Sequence, residues 1–153
     1  MAGLIPAVAQ VPPALGGGTG IHDPRSAIKP LREREGVVSW SLLSSVTTRV
    51  EKARVVPVFP PGVRALHGQR VKVQGFMMPL EPGKPQAHFL LSAVPTTCNF
   101  CVPAGAEGLI EVFSGARPVP YSEEAITLEG RLSVLDNDKY GLLYRLDAAV
   151  FVP

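Results

Sequence analysis

The chain has 153 residues, of which 46% are hydrophobic and 18% are charged, a composition that excludes a chain disordered throughout. The 15 Lys and Arg residues against 13 Asp and Glu residues give a formal net charge of +2, too weak to indicate a nucleic-acid partner. No apolar run reaches the roughly 20 residues that a membrane-spanning helix needs, so no transmembrane segment is predicted.

The first 36 residues predict an exported protein with a flexible leading segment. Ala7-Val8-Ala9 follows a short apolar stretch and has the A-x-A pattern of a signal-peptide cleavage site, although the basic front of a complete signal is missing. An ordinary apolar tail is the alternative interpretation. Residues 10–36 contain Gly16-Gly17-Gly18, several prolines and alternating charges, which is typical of a linker. We therefore expect a signal-peptide remnant and linker over residues 1–36, a folded domain over residues 37–153, and a periplasmic location.

Alternating apolar and polar residues predict a series of short strands. The first is residues 38–42, around Trp40, and the clearest is residues 70–78, where Gly75 indicates a bulge or a sharp bend. Further strands are predicted over residues 87–92, 108–113, 125–134 and 142–152, the last two forming a hairpin. Residues 44–52 are the one run able to form a respectable short helix, and residues 62–66 suit a single helical turn.

These elements predict an all-β fold. The high content of glycine (15) and proline (16) favours loops and short strands over long helices. The strand over residues 125–134 is again bent at a glycine, Gly130, and strongly curved strands suit a small barrel. We expect an OB-like, partly closed barrel of five or six strands with a short helix at most. Trp40, Phe76, Phe89 and Phe113 are predicted to lie in its core.

The two cysteines of the chain form a Cys98-Asn99-Phe100-Cys101 motif, which is followed by Pro103. A disulfide is the first interpretation, since an exported protein meets an oxidising compartment. Such a short loop stabilises the fold little, by about 2 kcal/mol. A thiol oxidoreductase is the least favoured interpretation, because Pro103 removes a backbone donor where the helix of a thioredoxin-like site would begin.

A metal site is the second interpretation of the motif. Two thiolates are too few for tetrahedral zinc, so other ligands are needed. His88 with Met77 or Met78 would complete a soft site suited to copper. Met77 and Met78 point to opposite faces of a strand, so at least one of them is expected to fill the core. No other catalytic or nucleotide-binding motif is present, and the carboxylates Glu81, Glu107 and Glu111 form no obvious acid–base pair in the sequence.

The same motifs resemble the DUF3299 family of small bacterial envelope proteins. The resemblance spans about Trp40 to Val152 and does not cover the linker. Its residues are Phe59-Pro60-Pro61-Gly62, Val71-x-Val73-x-Gly75-Phe76-Met77-Met78-Pro79-Leu80, His88-Phe89-Leu90-Leu91, Cys98-x-x-Cys101-x-Pro103 and Gly141-x-x-Tyr144-x-Leu146. The resemblance implies an exported or lipid-anchored protein, often encoded beside ABC-type export or metal-handling transport systems, and it implies no activity.

The sequence therefore predicts a periplasmic, non-enzymatic accessory protein that binds a component of an envelope transport system. The predicted partner-binding residues are Met78, Pro79, Leu80, Glu81, Phe100 and Pro103. The alternative is a copper- or zinc-binding module that uses Cys98, Cys101, His88 and one of Met77 or Met78. No cofactor is certain, and the oligomeric state is left open.

Overall fold

The computed structural model describes residues 31–95 and 105–153. These residues form nine strands, two one-turn α-helices and one turn of 3-10 helix. The helices are α1 (Trp40–Leu43), α2 (Pro61–Arg64) and the 3-10 turn Ala106–Gly108. The strands are β1 (Thr47–Glu51), β2 (Arg54–Val58), β3 (Arg70–Pro79), β4 (Pro85–Gln86), β5 (His88–Ser92), β6 (Leu109–Ser114), β7 (Val119–Pro120), β8 (Ile126–Val134) and β9 (Tyr144–Val152).

Five of the strands close into a barrel in the order β3-β5-β6-β9-β8. All neighbouring pairs are antiparallel except β6 and β9, which are parallel. Numbered along the chain, the barrel order is 1-2-3-5-4, which is the Greek-key order of an OB-fold. The prediction of an all-β, OB-like barrel is confirmed, with five strands and a closed circuit. Two separate two-stranded sheets, β1-β2 and β4-β7, accompany the barrel.

Two glycines allow the barrel strands to bend where the sequence predicts it. At Gly75, strand β3 changes partner: residues 70–75 pair with β8 and residues 76–79 with β5. A Cβ atom on Gly75 would lie 2.7 Å from the carbonyl oxygen of Ser92, so a side chain has no space there. Gly130 lies opposite a bulge of β9, and its Cβ would lie 2.7 Å from the carbonyl oxygen of Asp147. Both strands therefore approach a neighbouring backbone too closely for alanine.

Alternate residues of the barrel strands fill the interior, as a period of two requires. Phe89, Leu128, Leu132 and Leu146 are fully buried. Tyr144 is also fully buried, and its hydroxyl donates a 2.6 Å hydrogen bond to the carbonyl oxygen of Leu43 in α1. Burial raises the pKa of the Tyr144 phenol well above its ordinary value, with a smaller contribution from the charge of Glu107. The phenol therefore stays protonated and ties α1 to the barrel.

The segment before the barrel differs from its predicted form. Residues 38–42 do not form a strand: Ser39 caps α1 by accepting a hydrogen bond from the backbone N–H of Leu42. Trp40 is buried as predicted, and its indole N–H donates to the carbonyl oxygen of Gln74 at 2.7 Å. Residues 44–52 are also not helical, since β1 occupies most of them. The single turn predicted near residue 62 is confirmed as α2.

The described part of the chain contains no helix with the length and apolar character needed to cross a membrane. The predicted boundary between a linker over residues 1–36 and a domain over residues 37–153 stays a prediction. Near this boundary, from residue 31 onward, Leu31 packs against the core, and the backbone N–H of Val38 donates to the carbonyl oxygen of Lys72 at 2.8 Å.

Candidate functional site

The predicted partner-binding residues Met78, Pro79, Leu80 and Glu81 lie where β3 ends and the connection to β5 begins; we call these four residues the docking end. Met77 faces the core with 1% of its surface exposed, whereas Met78 is half-buried on the outer face of the barrel. The expectation that the two methionines point to opposite faces is confirmed. Leu80 is 48% exposed, which is high for a large apolar side chain.

The loop that carries the docking end is held from within by Gln86. This residue of β4 is completely buried, and its side-chain nitrogen donates to the carbonyl oxygens of Glu81 (3.1 Å) and Gly83 (2.5 Å). β4 also pairs with β7, through Gln86 opposite Val119. A buried amide that satisfies two loop carbonyls fixes the loop backbone. Leu80 is therefore presented on a pre-formed loop.

A polar cluster lies beside the docking end on the outer face of β5, β6 and β9. We call it the outer cluster; its members are Glu111, His88, Arg145 and Phe113. The Glu111 carboxylate is 8% exposed and lies 2.9 Å from His88 Nε2, while its second oxygen lies 3.0 and 2.9 Å from Arg145 Nε and Nη2. A carboxylate only accepts hydrogen bonds, so His88 donates from Nε2. The strand registers bring these residues together, with His88 opposite Phe113 and Glu111 opposite Arg145.

Phe113 covers this cluster, and its position differs from the predicted one. Its ring stacks on the His88 ring with centroids 4.3 Å apart and planes 6° apart, and the Arg145 guanidinium lies 5.7 Å from its centroid. Phe113 was predicted to fill the core, but it is half-buried on the outer face. Phe76 is likewise half-buried, whereas Phe89 is in the core as predicted. The ring thus packs against both side chains that bond to the Glu111 carboxylate.

The outer cluster also reaches the loop between β8 and β9. Arg145 Nη2 lies 3.6 Å from a carboxylate oxygen of Asp138, whose other oxygen accepts from the backbone N–H groups of Tyr140 and Leu142. Arg145 thus connects the loop between β8 and β9 to Glu111.

The structure brings part of the predicted metal set together. Met78 pairs with Leu90 on β5, and His88 lies two residues before Leu90 on the same outer face. Met77 is separated from them because it faces the core. Within residues 31–95 and 105–153, no group of three His, Cys, Asp or Glu side chains is arranged to hold a metal ion.

Cys98, Phe100, Cys101 and Pro103 lie outside the described residues, so their contribution to a site stays a prediction. The flanking chain is described. Ser92 pairs with Phe76 and Leu109, and the backbone N–H of Ala93 donates to the carbonyl oxygen of Gly108 at 3.0 Å. Ala93 and Gly108, on the two sides of that segment, therefore lie at the end of β5 opposite to Leu80. At about 3.3 Å per residue, these ends of β5 are roughly 13 Å apart.

Sequence reasoning missed Glu111 and Arg145. Both are charged residues within apolar strands, Ile110-Glu111-Val112 and Tyr144-Arg145-Leu146, and that interruption is the signal that could have singled them out. Their pairing depends on the parallel contact of β6 with β9, between residues 34 positions apart. No local pattern encodes this contact.

No protein-family model matches the chain, and no curated protein matches it. Among solved structures, the chain is similar to the crystal structure of a DUF3299 family protein from Pseudomonas aeruginosa PAO1. The two are 21% identical with a TM-score of 0.46, over 58% of this chain and 64% of the Pseudomonas chain. The match thus spans less than two thirds of that chain. The Pseudomonas protein belongs to the family that the sequence motifs resemble.

Proposed function

We propose that the protein is a non-enzymatic accessory protein of the bacterial envelope, which binds a component of an ABC-type or metal-related transport system through its docking end and the adjoining outer cluster. The periplasmic location is part of this proposal. It is supported by the Ala7-Val8-Ala9 pattern and by the resemblance to DUF3299 envelope proteins.

The observation that carries the proposal is the exposed Leu80 on a loop that Gln86 fixes. A large apolar side chain with 48% exposure gains free energy when a partner covers it. The loop is already ordered by two hydrogen bonds from the fully buried Gln86 amide, so binding does not have to order it. A pre-formed contact of this kind improves affinity.

The outer cluster supports the proposal by its charge balance and position. Pro79 and Phe89 form the last pair of the β3–β5 ladder. Leu80 follows Pro79 and His88 precedes Phe89, so the outer cluster begins beside the exposed Leu80 side chain. Its buried carboxylate is already matched by Arg145 and His88. The arrangement therefore suits a polar rim around an apolar contact.

Site-specific photo-crosslinking in the native host tests this function. A photoreactive amino acid at position 80 is compared with one at Tyr140, which is 75% exposed in the loop between β8 and β9. We expect an envelope transport component to be cross-linked from position 80, and not from position 140, in intact cells. The same cross-linked proteins from both positions, or none from the envelope at position 80, would contradict the proposal.

A copper- or zinc-binding module is the second candidate, because Met78 and His88 share one outer face. Its test is equilibrium dialysis of the pure protein against Cu(I) or Zn²⁺. We expect bound metal to disappear in the His88→Ala variant and in a Cys98→Ser, Cys101→Ser double variant. Met77→Leu is the matched control and should keep the metal, because Met77 faces the core. Metal binding that persists in both ligand variants would contradict this candidate. The absence of metal binding by the unchanged protein would contradict it as well.

A further inference from the structure

The hairpin formed by β1 and β2 is a two-stranded sheet that is not part of the barrel. Every residue of β1 is exposed. Val50 and Val55, which lie opposite each other, are 76% and 62% exposed, so the hairpin carries an uncovered apolar pair. A two-stranded hairpin of this kind is marginally stable alone and gains from further pairing.

Within the described part of the chain, the edge of β1 has hydrogen-bonding groups that no other backbone group occupies. The turn has two residues, so Glu51 and Arg54 form the hydrogen-bonded pair next to it, and the pairs then alternate. Thr48 and Val50 consequently direct their N–H and C=O groups away from β2. No other backbone group of the described residues pairs with them. This edge is the kind of template that another strand recognises.

The outer edge of β2, in contrast, is blocked against pairing with a further strand. Pro57 lies opposite Thr48, at a position where its N–H would point outward, and proline has no such donor. The side chain of Arg54 donates to Asn137 of the loop between β8 and β9 at 2.8 Å. A groove of about 390 Å³ separates β2 from that loop, and both line it. The hairpin therefore offers one open edge, that of β1.

We propose that β1 pairs with β1 of a second copy of this chain, antiparallel and centred on Val50. In this register Val50 exchanges two backbone hydrogen bonds with its counterpart. Arg49 then lies directly opposite Glu51 of the second copy, and Glu51 opposite its Arg49. Both side chains are more than half exposed, and they already form an ion pair within the strand at 3.0 Å. The edge is thus complementary in charge to itself.

The alternatives in register are less favourable. Centring the pair on Arg49 would place two guanidinium groups opposite each other, which is destabilising. Centring it on Val50 extends the exposed apolar pair into a row of four valines, Val55-Val50 from each copy, across one face of a four-stranded sheet. The same register therefore pairs the backbone of Val50, matches the charges and brings the most exposed valines into side-by-side contact. This inference does not depend on the proposed docking function.

Sedimentation equilibrium over a range of protein concentrations tests the pairing. We expect the unchanged protein to form a dimer. Val50→Pro removes the outward N–H while leaving the bonds to β2, and it should give a monomer. Pro57→Val is the control on the outer edge of β2, which the proposed contact does not use, and this variant should still dimerise. Circular dichroism of each variant confirms that the barrel is folded.

Charge reversal gives a second test that leaves the backbone unchanged. The contact contains the Arg49–Glu51 pair twice, so either single variant, Arg49→Glu or Glu51→Arg, places two pairs of like charges opposite each other. Each variant should weaken dimerisation at least about tenfold, or 1.4 kcal/mol. The double reversal restores the pairing and should restore the dimer. A protein that is monomeric at all concentrations would overturn the proposal, as would a dimer unaffected by Val50→Pro or by single reversals. A monomer whose binding to another protein is lost in Val50→Pro would assign the edge to that protein and overturn it as well.

Discussion

Replacing Glu111 with glutamine tests whether the outer cluster is a stabilising part of the fold. Glutamine keeps the shape of the side chain and one acceptor oxygen, but it loses the charge that His88 and Arg145 bond to. Hydrogen bonds to charged groups contribute about 1.5–3 kcal/mol and neutral ones about 1 kcal/mol. Because Arg145 is one third exposed and has Asp138 at 3.6 Å, we expect the lower part of that difference to apply. The free energy of unfolding should fall by about 1–2 kcal/mol.

Urea unfolding followed by fluorescence measures this change, and an unchanged denaturant dependence shows that the unfolding transition is comparable. Glu129→Gln is the matched control. Glu129 accepts from Arg70 at 2.9 Å on another face of the barrel, but the two side chains are 34% and 59% exposed. A surface pair of this kind contributes about 0.2–1 kcal/mol at most. Equal losses in the two variants would refute the argument that burial distinguishes the outer cluster.

Three further predictions concern the barrel. Gly130→Ala should lower the free energy of unfolding by about 1–3 kcal/mol because its Cβ meets backbone at 2.7 Å, whereas Gly115→Ala, with its nearest contacts at 3.7 Å, should be close to neutral in the same urea experiment. Ala148→Gly should raise the Tm, because Ala148 has a φ of 50°, where alanine is strained by about 1–2 kcal/mol and glycine is not; an unchanged or lower Tm would contradict this. Burial raises the pKa of Tyr144, so its contribution to stability is complete below the ordinary pKa of about 10 and is lost as the pH rises further. The Tyr144→Phe variant should therefore be less stable at pH 8, because it lacks the hydrogen bond to Leu43. Its free energy of unfolding should also fall less between pH 8 and pH 11 than that of the unchanged protein. Parallel pH profiles of the two proteins would contradict this prediction.

The barrel was predictable because its strands carry a strong local signal. In β3, the alternation of apolar and polar residues matches the burial of alternate side chains. Gly75 and Gly130 also mark real bends, because both positions need a residue without a Cβ. Closure of the barrel, however, depends on the parallel contact between β6 and β9, which no sequence period reveals.

The region before the barrel was mispredicted for local reasons. The alternation of apolar and polar residues around Trp40 is compatible with a strand as well as with a helical turn. The helical turn is stabilised by the capping hydrogen bond from Leu42 to Ser39 and by the hydrogen bond from the indole to Gln74. β1 was missed because its turn, Lys52-Ala53, lacks the glycine or asparagine that marks a two-residue hairpin. Both turn residues have positive φ angles, 48° and 60°.

The candidate site was partly predictable. The sequence motifs group Met78, Leu80 and His88, and the structure places all three at one end of the β3–β5 pair. Glu111 and Arg145 were missed because their partners come from three different strands. A buried charge is recognisable in a sequence only as an interruption of an apolar strand, and its counter-charges become apparent only from the fold.

Binding of the purified partner recovered by cross-linking tests the docking proposal most directly. Its affinity is measured by calorimetry for the unchanged protein and for the Leu80→Ser and Tyr140→Ser variants, which remove exposed apolar side chains from two different loops. The proposal predicts that Leu80→Ser weakens binding at least about tenfold while Tyr140→Ser leaves it unchanged. Equal affinities for all three proteins would contradict it.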